Sequence, residues 1–147
     1  MSQKEENKME WDPKYGVDIE EIDNHQKKMF ELFNMLIDLK LEKGEAKAFA
    51  GLISDINDYG KLFFASEERI LKKKGYPDYE THIKKHRKFI KNTINLRREI
   101  VEDVDNLTME SILELRDWLV KHIEESDSKY TPFLRIHQYI EDVNPKK

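Results

Sequence analysis

A chain of 147 residues leaves room for one domain and little more. Its 26 Lys and Arg against 30 Asp and Glu give a formal net charge of −4, which argues against a basic nucleic-acid binder. There is no cysteine, so disulfides, thiolate zinc sites, iron–sulfur clusters and cysteine nucleophiles are excluded together.

Residues 1–10 are polar and read as a flexible N-terminus, without the apolar core of a signal peptide. The rest, 11–147, reads as a single domain. WDPKYG (11–16) is an ordered lead-in, because Trp11 and Tyr15 need something to pack on. The first helix is expected over 19–43, with Ile22, Met29, Phe30, Phe33, Leu36 and Ile37 at a 3.6-residue period. Gly44 ends it, as glycine does after a helix. The second is expected over 46–74, with Leu52, Ile56, Tyr59, Phe63, Ile70 and Leu71 on one side. GYPDY (75–79) is a turn. The third covers 79–101, with Ile83, Phe89, Ile90 and Leu96 inward. A loop over 103–107 leads to Thr108, a plausible N-cap. The fourth runs to about residue 129, carrying Ile112, Leu115 and Leu119. A last short helix starts at Pro132, a residue suited to the first helical position.

Long helices joined by short loops imply antiparallel neighbours. The fold class is therefore all-α: an up-down-up-down four-helix bundle with an N-terminal lead-in and a short C-terminal helix. The 7 Phe and 6 Tyr supply large core side chains and argue against disorder. No apolar run approaches the ~20 residues of a membrane span. The expected setting is cytoplasmic, with neither membrane nor nucleic acid as partner.

The ionisable residues on inner faces carry the chemistry. His82 and His86 are spaced i, i+4 beside Ile83, Phe89 and Ile90, so two imidazoles stand one turn apart on the core face. His122 continues the row of Leu115 and Leu119. Asp127 follows five residues later, about 140° further round the helix. Glu67 continues the row Tyr59, Phe63. Singly, each has an ordinary explanation: a hydrogen-bonded core histidine, or an interhelical salt bridge. Together they are harder to dismiss, because each ionisable group left unpaired in a core costs several kcal/mol. Glu68 points about 100° away from Glu67, which suits solvent or an outer hydrogen bond better than ligation. Tyr59 and Tyr130 are candidate hydrogen-bond donors to the site. Asp23 is a candidate cap or brace, and His137 reads as a surface residue.

The pattern resembles the hemerythrin family. The resemblance spans 11–134 and rests on YGVDIEEID, IDNHQKKMFEL, YGKLFFASEERIL, HIKKHRKF and WLVKHIEESDSKY. Family members are four-helix bundles that hold two irons, bridged by a Glu and an Asp, and bind oxygen reversibly. The resemblance implies that His82, His86 and His122 hold one iron, with Glu67 and Asp127 as the bridging carboxylates.

The second half of the family's site departs from the pattern. The family's helix-A histidine falls on Gln26 here, with His25 one residue early. The family's second-helix histidine falls on Phe63. An amide oxygen is a poor substitute for imidazole on a transition metal, and Phe63 cannot ligate. A π-bulge in the first helix could turn His25 inward. The expectation is one non-heme iron per chain, with manganese or zinc as possible occupants, binding a small ligand such as oxygen or nitric oxide, or sensing it. Two rivals remain at this level: a redox enzyme acting on superoxide or peroxide, and a metal-free bundle that works through its surface.

Overall fold

A computed structural model describes residues 8–143, with all side chains in that range except those of 126–128. Among the described residues there are five α-helices and no strand: α1 (Glu20–Leu41), α2 (Ala46–Lys73), α3 (Tyr79–Glu102), α4 (Met109–Lys129) and α5 (Thr131–Val143). Short 3-10 turns at Pro13–Tyr15 and Val104–Asn106 occupy the lead-in and the expected loop. Among the described residues, no helix is long and apolar enough to cross a membrane. α1 packs on α2 and α4, α2 on α3, and α4 on α5.

The helix ends have local causes. Thr108 caps α4: its Oγ1 accepts from Ser111 N at 3.0 Å, while Thr108 N donates back to Ser111 Oγ at 3.1 Å. α2 closes with Gly75 in the left-handed region at φ 72°, where Gly75 N donates to Lys72 O and Tyr76 N to Leu71 O. α1 closes with the same pair of bonds, from Lys43 N to Lys40 O and from Gly44 N to Leu39 O. There the left-handed residue is Lys43, at φ 57°, one position before Gly44. Gly44 matters for space instead, since a Cβ on it would lie 2.2 Å from Leu39 Cδ1.

The core is the stripe the periodicity indicates, extended. Ile22, Met29, Phe33, Leu36 and Ile37 of α1 are sealed from solvent, as are Ile53, Ile56 and Phe63 of α2, Phe89 of α3 and Leu119 of α4. Leu52 and Ile90, expected inward, are only partly buried and pack at its edge. The expectation of a flexible N-terminus falls mainly on residues 1–7, which lie outside the described residues. Beyond them the chain is tied to α1. Met9 N donates to Asn34 Oδ1, Asn34 Nδ2 returns to Met9 O, both at 2.7 Å, and Lys8 pairs with Asp38. Asp23 braces the lead-in by accepting from Val17 N at 2.8 Å.

Candidate metal centre

Three helices bring four ionisable side chains to one point. Glu67 comes from α2, His82 and His86 from α3, and His122 from α4; one ligand atom of each lies within 4.8 Å of all the others. Glu67, His86 and His122 are fully buried, and His82 is partly so. His86 Nε2 and His122 Nε2 stand 3.2 Å apart. Both approach Glu67 Oε1, at 3.3 Å and 3.1 Å. His82 Nε2 lies 3.8 Å from Glu67 Oε2, too far for a hydrogen bond, and is buried without a hydrogen-bond partner among the described residues.

These distances suit a cation. With bonds of about 2.1 Å, ligands at 90° lie about 3.0 Å apart and tetrahedral ligands about 3.4 Å apart. The three short separations fall within that span. The orphaned nitrogen of His82 gives a second reason, since a buried unpaired polar atom is costly and a metal would satisfy it. The donor set, nitrogen and carboxylate without sulfur, suits iron, manganese or zinc.

The surroundings fix each ring. Glu68 Oε2 accepts from His86 Nδ1 at 2.8 Å, which turns Nε2 toward the cluster. Phe64 stacks on His86 with centroids 4.0 Å apart, and Trp118 stacks on His122 at 5.2 Å. Tyr130, sealed from solvent, donates its hydroxyl to Glu67 Oε2. Of the two expected tyrosine donors, Tyr130 therefore reaches the site. Tyr59 does not: its hydroxyl lies 3.2 Å from His25 Nδ1. The stacking partners escaped the sequence reading, although Trp118 stands at the i−4 position of His122 and that spacing could have flagged it.

Burial pushes the Glu67 carboxyl up, but the charge of His122 and polar contacts with His122, His82 and His86 outweigh this and hold it well below the usual carboxylate range. Burial pushes the His122 imidazole down, and Glu67 only partly restores it against His86 and His82. Both directions favour the forms that bind a metal, an ionised carboxylate and an unprotonated imidazole.

Both shifts make the metal-free protein acid-sensitive. The unfolded chain takes up a proton on His122 near pH 6.5 while the folded chain resists, so stability falls as pH drops below that value. Glu67 contributes stability above about pH 4.5, lost as pH falls toward its lower folded value. Thermal unfolding of the metal-free protein should therefore show a melting temperature that falls steadily from pH 7.5 to pH 5. His122→Phe should flatten that slope; an equal slope in the variant would contradict this assignment.

The other candidate positions are also placed. Gln26 is buried, and its Oε1 accepts from Trp11 Nε1 at 2.9 Å. Phe63 is sealed in the core. His25 lies in regular α-helix, so no π-bulge turns it. It is half-buried against α2, with Nε2 at 3.1 Å from Ser66 Oγ, and it is not in the cluster. His137 packs on Phe133 of α5 at 4.4 Å and is also apart from the site. Asp127 falls within α4, but its side chain lies outside the described residues.

A helical bundle that buries three imidazoles and a carboxylate at one point has the form of a cation-binding domain. Residues 17–134 match the family model described as the hemerythrin HHE cation binding domain, and the chain belongs to that family. It is 32% identical over 138 residues to a bacteriohemerythrin of Pseudomonas paraeruginosa, covering 92% of this chain and 87% of that protein. A bacteriohemerythrin of Methylococcus capsulatus is 28% identical over 120 residues, covering 82% of this chain and 91% of its own. A hemerythrin-like protein of Naegleria gruberi is 28% identical over 120 residues, with 82% and 88% covered.

Proposed function

We propose that the protein is a mononuclear non-heme iron protein that binds a small ligand, oxygen or nitric oxide. In this reading α1 to α4 form an up-down-up-down four-helix bundle, and His82, His86, His122 and Glu67 are the metal ligands. Asp127 completes the set, as the carboxylate that the family pattern places there. Iron, when bound, supplies an open coordination position and a one-electron couple.

The observation that carries the reading is the contrast between two halves of one core. On the α3–α4 side, three Nε2 atoms and a carboxylate converge. On the α1–α2 side, the corresponding positions hold a side-chain amide whose oxygen accepts from Trp11 and a buried phenyl ring. His25, the one imidazole nearby, has both ring nitrogens facing hydroxyls, Tyr59 and Ser66. The chain's own residues do the positioning. Glu68 orients His86, Tyr130 anchors Glu67, Trp118 backs His122, and Phe63 and Phe64 keep water from the interior.

The test uses the iron-loaded protein, reduced and then cycled between argon and air. No reversible visible colour of the kind expected from a two-iron member should develop. The reduced protein should take up nitric oxide in proportion to its iron. Reversible colouring in air, or fully loaded protein that takes up no nitric oxide, contradicts the proposal.

A further inference from the structure

A buried amide on α1 has no part in the metal centre as described. Gln26 is 1% exposed, yet its Nε2 has no hydrogen-bond partner among the described residues. A buried amide N–H without an acceptor is costly and rarely kept without a reason. The amide's orientation is fixed by the indole of Trp11, which donates to Oε1 at 2.9 Å. An N–H donor needs the oxygen, so the NH2 end is turned away from Trp11. Trp11 is itself held in place by Lys27, whose Nζ lies 4.5 Å from the indole centroid.

The level of Gln26 along the bundle follows from its neighbours. His25 Nε2 meets Ser66 Oγ, the residue next to Glu67. One turn on, the Met29 side chain lies against Gly60, 3.8 Å from where a Cβ would be. The stretch 25–29 of α1 thus faces 60–66 of α2 in antiparallel register. Gln26 shares the buried row of Ile22, Met29 and Phe33, so the register sets it at the level of Phe63 to Glu67 on α2, the helix that carries Glu67 to the cluster. Phe63 and Phe64 are buried at the same level of α2, and an apolar setting strengthens a hydrogen bond formed in it.

We propose that Gln26 selects the small ligand of this centre. Its Nε2 donates a hydrogen bond to the far end of a two- or three-atom ligand with an acceptor or negative charge there. Trp11 is the positioning residue that keeps the amide nitrogen inward. The inference rests on the metal reading above, and goes beyond it in assigning a function to the residue that replaces a histidine of the family pattern. A ligand without an acceptor at its far end gains nothing from Gln26.

Azide is the probe, added to iron-loaded full-length protein, with iron content measured on the same samples. Gln26→Leu, which keeps the volume and removes the donor, should weaken azide binding by about tenfold or more, the scale of a hydrogen bond to a charged group. Trp11→Phe, which frees the amide to turn over, should weaken it by less but in the same direction. In zinc-loaded protein, the side-chain amide proton resonances of Gln26 should shift on azide addition and shift less in Trp11→Phe. Equal azide affinity in wild type and Gln26→Leu at equal iron content overturns the inference alone, and so do unmoved Gln26 resonances. Should Gln26→Leu fail to fold, unchanged affinity in Trp11→Phe together with unmoved resonances overturns it as well. Wild-type protein that holds no metal overturns the metal reading and this inference together.

Discussion

Replacing His122 by alanine is expected to strip the protein of its metal on dialysis. Its Nε2 lies 3.2 Å from that of His86 and 3.1 Å from Glu67 Oε1, so the side chain is central to the cluster. Loss of an outer hydrogen-bond partner of a metal ligand costs about 10- to 100-fold in affinity, and loss of the ligand itself should exceed that. The variant also takes a polar partner from Glu67, whose carboxylate is fully buried and lies 3.1 Å from His122 Nε2. Tyr130 and His86 remain to hold Glu67, so the fold should survive with lowered stability. His82→Ala provides the comparison. His82 makes no hydrogen bond at Nε2 and is partly buried, so its removal should barely perturb the metal-free fold yet still release metal. Metal retained in both folded variants would mark the imidazoles as core packing and not ligands.

The second large effect is a gain. Gln26→His together with Phe63→His should restore a second metal position. Both side chains are buried on the faces that α1 and α2 turn inward, and Glu67 lies four residues beyond Phe63, one turn along the same helix. Glu67 Oε2 accepts from Tyr130 but keeps a second lone pair for a bridging role. Phe63→His removes apolar volume from a sealed site, at a cost of about 2–3 kcal/mol by comparison with large core truncations. Metal that binds only the folded state offsets this. The double variant should hold two metals and melt higher with iron than without. Either single variant should hold one. A folded double variant that still holds one metal would mean that α1 and α2 do not present these positions to the carboxylates.

Much of the fold was legible because its causes are local. The periodic rows of α1 to α4, the Thr108 cap and the Gly75 turn each rest on residues within a few positions of one another. Gly44 shows the limit: glycine marks the helix end, but the left-handed residue fell one position earlier, on Lys43. Gly44 is instead a matter of space, since the Leu39 side chain lies where a Cβ at 44 would go. At the site, His82, His86, His122 and Glu67 were legible because helical spacing places them on inner faces. The outward tilt of Glu68 from Glu67 was legible for the same reason, and it resolves as the hydrogen bond to His86. Contacts between distant segments were not legible. Nothing in the local pattern ties Trp11 to Gln26, or sends Tyr59 to His25 and not to Glu67. Those pairings depend on how the lead-in crosses α1 and how α1 is rotated against α2.

If one half of the core binds a metal and the other half does not, the metal content per chain reports it. The most direct measurement is elemental analysis of protein purified without added metal and then after iron loading, expressed as metal per chain. The value should saturate at one metal per chain. A value of two in the loaded protein, or of zero with the fold intact, would contradict it.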